Sequence, residues 1–407
     1  MLAIAARLNE RGFDTVVSLA EPYAGLAAAA GVTPYVGVSR QRFGELLGEA
    51  AVWRPFRGAK RLLGWAAEEW TREQLRCIQK FHRPNRTILV SHPLDFGSRL
   101  FRQADPSTPL VDVHLAPAML RTLDDPPRMT SLGWELRRPR WAMALAYRCL
   151  DRCWVDPAVR PALARQQSTW FPDDDTQPVP RRVMDRWWLS PDRVLAMYPR
   201  WYAPACERWV PQLRYAGFPL SDGPDQRSDD AAILLTRMWR WIRENRPCVW
   251  TSGTAHHHAA TMFRRVIETG NRATLLLSSH GENLPREVPA WCRTADYLPL
   301  SKLLPHCSGI VHHGGIGTTS AAMKTGCPQA VMPMAFDQFD NAQRATRLRV
   351  GFQIEASAFD AAEVAERLQG SRQREACLRL AKRMASEPDA STRAADEVQS
   401  VYSDFHD

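Results

Sequence analysis

No run in the 407-residue sequence approaches the ~18 apolar residues that a membrane-spanning helix requires. The longest candidate, from Trp141 to Leu150, is interrupted by Arg148 and is too short. A secretory leader is not written at the start, because the apolar stretch Leu2 to Leu8 runs at once into Asn9, Glu10 and Arg11, with no small-residue cleavage pattern. CxxC pairs are lacking too. The nine cysteines are an odd number and scattered, which argues against a disulfide framework and for reduced thiols in a cytoplasm. Cys149 and Cys153 sit four apart, with no histidine pair nearby to complete a zinc pattern. No basic block with interleaved aromatics stands apart, so the net charge of +9 does not read as nucleic-acid binding. It fits a generally basic surface, attraction to phosphate-bearing ligands, or peripheral contact with an anionic inner membrane face. Short-period repeats are absent.

What is present is an ordinary globular composition, 45% hydrophobic and 24% charged, on a chain long enough for two domains. In the second half, short apolar runs alternate with helix-like stretches. Strands are expected from Pro247 to Ser252, Thr274 to Ser278, Thr294 to Leu298, Gly309 to His313, Gln329 to Met334 and Gly351 to Glu355. Helices are expected after Gly253 to Glu268, through Lys324, and from Asn341 to Leu348. That alternation predicts a parallel, doubly wound α/β sheet. The first half is less regular, with strands at Thr15 to Leu19, Thr87 to Ser91 and Leu110 to His114. Helix is expected across Trp53 to Phe81 and Val155 to Arg165. The segment Gly217 to Asp230 reads as a linker. The expected division is therefore 1–217, a linker 218–232, a second domain 233–390, and a final helix 391–407 returning to the first. The acidic run Asp173, Asp174 and Asp175 reads as a solvated loop.

The sequence opens inside a helix. Leu2, Ile4, Ala5 and Leu8 share one face and Gly12 closes it. A doubly wound domain normally opens with a central strand, so the expectation is a first domain whose first strand is missing; the alternative is a rearranged sheet.

The chemistry concentrates in HHGGIGTT, residues His312 to Thr319. Gly314, Gly315 and Gly317 follow an apolar strand and open a helix, where free amides favour an anion. Thr318, Thr319 and a loop histidine can add hydrogen bonds. A second strand-to-helix loop, Ser252, Gly253 and Thr254, has the same shape. The neighbouring His256, His257 and His258 point in different directions along a helix and cannot readily share one metal ion. Asp337 and Gln338 follow another strand end, where they can meet sugar hydroxyls; the alternative for Asp337 is helix N-capping.

The stretch Val311 to Asn341 resembles the donor-binding signature of the inverting, UDP-sugar-type glycosyltransferases of GT-B fold. It is most like the bacterial members related to sterol glucosyltransferases and to antibiotic or rhamnolipid glycosyltransferases. The likeness continues in Met184 to Trp188 and Ala216 to Pro219. It implies two Rossmann-like domains facing a cleft and direct transfer of a hexose, without metal or cofactor. The donor would be UDP-glucose or a dTDP-deoxysugar, and the acceptor a small or lipid-like hydroxyl compound. His313 would contact the diphosphate with Thr318 beside it, and Ser252, Gly253 and Thr254 would cover it. Asp337 and Gln338 would hold the sugar, and Tyr297 and Leu298 the base. Ala321 stands where plant members carry a ribose-binding glutamate. The family's catalytic base would precede Met1, which leaves His92 as an acceptor-side candidate. A catalytically impaired nucleotide-sugar-binding or partner protein of the same fold is the rival, with an epimerase third.

Overall fold

The computed structural model describes residues 1–54, 56–128, 139–172, 177–204, 210–220, 230–253 and 259–406. Thr254, His256 to His258, Asp173 to Asp175 and linker residues 221–229 lie outside them. The chain forms two compact units. Unit 1 comprises Met1–Pro127, Leu132–Pro219 and Pro388–Asp407; unit 2 comprises Arg128–Ser131 and Leu220–Glu387.

Unit 1 carries β1 (Val16–Ala20), β2 (Thr33–Val38), β3 (Leu89–Ser91), β4 (Leu110–His114), β5 (Arg193–Ala196) and β6 (Leu213–Tyr215). All pairings are parallel, but in two separate sheets, β1-β2 and β3-β4-β5-β6. Strands β2, β5 and β6 go beyond the three the sequence pattern suggests. β2 contains Pro34 and Gly37, which sequence rules place at edges and bulges. The opening helix is Leu2–Glu10, with Ile4, Ala5 and Leu8 buried and Gly12 just beyond it at φ +88°. Ile4 and Leu8 share one core with Val111 and Leu195 of the sheet and with Ala394 and Val398 of the last helix, Ala390–His406.

Unit 2 carries β7 (Cys248–Thr251), β8 (Thr274–Leu277), β9 (Cys292–Ala295), β10 (Gly309–His312), β11 (Gln329–Val331) and β12 (Gly351–Gln353). They form one parallel sheet in the order β9-β8-β7-β10-β11-β12. The chain winds outward from β7 to β9, then crosses back to lay β10 against β7. The winding reverses between these two strands. In an open α/β sheet that switch point, at the carboxyl ends, is where ligands bind. Both faces are covered. Trp250, Leu276 and Val311 pack on one side, and Val249, Leu275 and Ile310 on the other. The helix expected from Asn341 begins earlier and runs Gln338–Arg347. The strand expected to Met334 stops at Val331, two residues before Pro333. The strand expected from Thr294 to Leu298 lies at Cys292–Ala295, because Leu298 drops into the core ahead of the helix Leu300–Leu303.

Candidate functional site

β7 and β10 end side by side, with Thr251 opposite His312. The residues that follow, Ser252 and Gly253 on one strand and His313, Gly314 and Gly315 on the other, therefore meet at the switch point. Successive side chains near a strand end take opposite faces, which separates the two histidines. His312 turns inward. Its Nδ1 accepts from the Gly314 N–H (3.1 Å), so Nε2 carries the hydrogen and donates to Gln329 Oε1 (2.9 Å). Burial pushes its pKa down to about 4. His312 is thus a neutral brace beneath the glycine loop.

His313 occupies the opposite face, in a seat made by missing side chains. A Cβ on Gly253 would fall 2.3 Å from His313 Cε1, and one on Gly315 would fall 2.5 Å from His313 Nε2. Gly253 and Gly314 also have φ of +81° and +94°, a region L side chains rarely adopt. The helix Ile316–Thr325 starts at Gly315 with no side-chain cap, so its first N–H groups remain for an anion. Nothing would meet a Cβ on Gly317 within 4 Å, so the first turn is open above it. Of the hydroxyls here, Thr319 and Ser320 donate back to Gly315 O (3.0 Å) and Gly317 O (2.9 Å). The half-buried Thr318 hydroxyl is not used in this way. Ser252 Oγ is buried with no hydrogen-bond partner among the described residues.

Asp337 stands at the N-cap position of the helix Gln338–Arg347 but makes no capping bond. Its Oδ2 accepts instead from Asn341 Nδ2 (2.9 Å). Burial raises its pKa to about 6; Asn341 opposes the rise and Asp340 adds to it. Gln338 has a structural role beside the one expected of it at the sugar. Its Oε1 accepts from the backbone N–H groups of Met334 (2.8 Å) and Ala335 (3.0 Å), holding the turn in which Phe336 has φ +55°. Only its amide nitrogen is left for a ligand. The Leu298 side chain lies in the core at 1% exposure, so it cannot cover a base, whereas Tyr297 is 38% exposed. Ala321 packs at the edge of the same core. Among the described residues, no group of three or more metal-ligating side chains comes together.

In unit 1, His92 follows β3. Its Nδ1 accepts from the Leu94 N–H (3.2 Å), which leaves the hydrogen on Nε2. Burial first, then His114 and Arg99, push its pKa down to about 3, so it is a poor proton acceptor. Beside it lies a buried ion pair. Asp112 accepts from Arg99 (2.7 Å), Ser91 Oγ (2.7 Å) and the Ser190 N–H (2.6 Å). Two residues of unit 2 escaped the sequence reading, Gln329 and Asn341. The four-residue spacing from Asp337 to Asn341 was the available signal for the second.

These features define a parallel α/β protein with a glycine loop and an uncapped helix start at the switch point of its second unit. Residues 268–399 match the family described as erythromycin biosynthesis protein CIII-like, C-terminal domain. The chain is 32% identical over 163 residues to L-demethylnoviosyl transferase of Streptomyces niveus, covering 39% of this chain and 39% of that protein. In architecture it resembles the calicheamicin glycosyltransferase CalG4 (TM-score 0.69, 18% identity, 99% of this chain and 94% of that one). It also resembles SsfS6 of Streptomyces sp. SF2575 complexed with thymidine diphosphate (TM-score 0.63, 15% identity, 98% and 95%). The chain spans well under half the length of the curated relatives it matches: 26%, 39% and 35% of the first three. The chain has the GT-B fold, and within it residues 268–399 carry the match to the EryCIII-like C-terminal domain.

Proposed function

We propose that the chain is an inverting glycosyltransferase that moves a hexose from a nucleotide sugar to a hydroxyl of an apolar acceptor. The acceptor oxygen attacks the anomeric carbon as the bond to the diphosphate breaks, and the acceptor proton leaves to a base. The observation that carries this reading is the seat of His313 between Gly253 and Gly315, at the switch point and at an uncapped helix start. That arrangement supplies a ring N–H and backbone amides where negative charge would collect on the departing diphosphate. Asp337 would accept from a sugar hydroxyl. A thymidine-diphosphate deoxysugar is the favoured donor over UDP-glucose, because a neighbour of like fold holds thymidine diphosphate and a relative transfers a noviosyl sugar. An apolar acceptor is supported by the helix Arg140–Leu150, which has no buried residue and leaves Trp141 71% and Leu145 54% exposed. Trp188 is buried, and Trp187, Trp239 and Trp241 pack against other residues instead.

A second reading, nucleotide-sugar binding without transfer, is favoured by the low basicity of His92. Incubating the protein with thymidine-diphosphate and UDP sugars and hydroxylated polyketide or sterol acceptors separates the two. Glycosylated product with inverted configuration supports transfer. Saturable donor binding with no product in any combination supports the second reading.

A further inference from the structure

The side chain of Asn341 links two parts of the site that the sequence presents separately. Its Nδ2 donates to Gly314 O and to Asp337 Oδ2, each at 2.9 Å, and the residue is fully buried. One amide group thus ties the loop that would hold the diphosphate to the carboxylate that would hold the sugar. The two partners sit on different elements, with the Gly314 N–H held by His312 Nδ1 (3.1 Å). Gly314 sits at φ +94°, where a Cβ would lie 2.7 Å from Val331 Cγ1, and Asp337 makes no capping bond. We propose that Asn341 is a positioning residue of the donor site, whose amide sets the Asp337 carboxylate in register with the glycine loop. The inference rests on the donor-site reading above.

A charge-state consequence follows. Burial favours the neutral form of Asp337, and the Asn341 hydrogen bond favours the ionised form. The charged neighbour acting on Asp337 from its own helix is Asp340, which is itself paired to Arg344 (Nε–Oδ2, 2.7 Å). From the glycine loop, His312 is neutral above about 4 and tied to Gln329, and His313 lies against Gly253 and Gly315. Removing the Asn341 donor lifts Asp337 further above about 6, so near pH 7 a larger share is protonated and cannot accept from a sugar hydroxyl. Raising the pH restores the carboxylate.

The test is calorimetric titration of Asn341→Ala and the unaltered protein with thymidine diphosphate and with thymidine diphosphate-glucose, at pH 6.5 and 8.5. The expected result is an about threefold weaker affinity for the nucleotide sugar at pH 6.5, shrinking to near parity at pH 8.5, since a rise of about one unit from about 6 cuts the ionised share at pH 6.5 by about threefold. Thymidine diphosphate, which lacks the sugar, keeps its affinity unchanged at both pH values. In Asp337→Asn the pH dependence is absent with or without Asn341→Ala. A loss of equal size at both pH values, or equal for the two ligands, overturns the proposal. If the unaltered protein binds neither ligand, the donor-site reading itself fails; if it binds both and Asn341→Ala changes nothing, only this inference fails. Should Asn341→Ala not fold, Asn341→Leu, which keeps the volume of the side chain and removes the donor, is read in the same way.

Discussion

The Asp337→Asn substitution keeps the size of the side chain and its oxygen acceptor for Asn341, and removes the charge. Burial raises the Asp337 carboxyl from 3.8 to about 6 in the folded protein. The folded state then binds this proton more tightly than the unfolded chain does. Between pH 3.8 and about 6 the carboxyl therefore makes the protein less stable as pH rises, and the cost is complete above that window. At 1.36 kcal/mol per unit, the ionised side chain costs ~2–3 kcal/mol at pH 8. Asp337→Asn is expected to recover ~1–3 kcal/mol there, a rise of about 2–4 °C in Tm per kcal/mol, and to gain nothing near pH 3.5. The same change removes the acceptor charge for a sugar hydroxyl, so nucleotide-sugar affinity falls by about tenfold or more. Thermal melts across pH 3.5 to 8, with titrations of the sugar and sugar-free nucleotides, read both effects. A variant less stable than the parent at pH 8, or one whose sugar affinity is unchanged, refutes the reasoning.

Gly253→Ala drives a methyl group into the His313 ring and strains a backbone at φ +81°, so Tm should fall and thymidine diphosphate affinity should drop by about tenfold in protein that keeps its far-UV circular dichroism. In unit 1, Arg99→Ala leaves Asp112 buried and uncompensated, and should cost ~3–5 kcal/mol in chemical denaturation without altering nucleotide affinity in any folded fraction. His92→Gln should leave the pH profile of transfer unchanged between pH 5.5 and 8, because His92 titrates near 3 and is neutral throughout that range. A profile limb near 6.5 that the substitution abolishes would show His92 to be the proton acceptor.

Unit 2 was legible because its signals are local. Fully covered strands read as apolar runs, and the glycine-rich turn after His313 lies within a few residues of the strand that aims it. The partnership of Gly253 with His313 was not legible as a contact. It depends on β7 and β10 being neighbours, sixty-odd residues apart in the chain and decided by the winding of the whole sheet. The structural role of Gln338 was not legible for a related reason. An amide beside a carboxylate looks like half of a clamp, but the turn from Met334 to Phe336 needs an acceptor for two backbone N–H groups, and Gln338 supplies it. Unit 1 was less legible because β2 carries proline and glycine, and β5 and β6 are four and three residues long. Nor does sequence show that His92 is held neutral, since that follows from burial and from the packing of His114 and Arg99 around it.

The central claim is that the loops after β7 and β10 hold a nucleoside diphosphate around His313. Isothermal titration of the protein with thymidine diphosphate and UDP, beside His313→Ala, tests it most directly. Saturable one-site binding of at least one nucleotide is expected, weakened about tenfold or more in His313→Ala with its fold intact. No binding of either nucleotide, or equal binding by the two proteins, would contradict it.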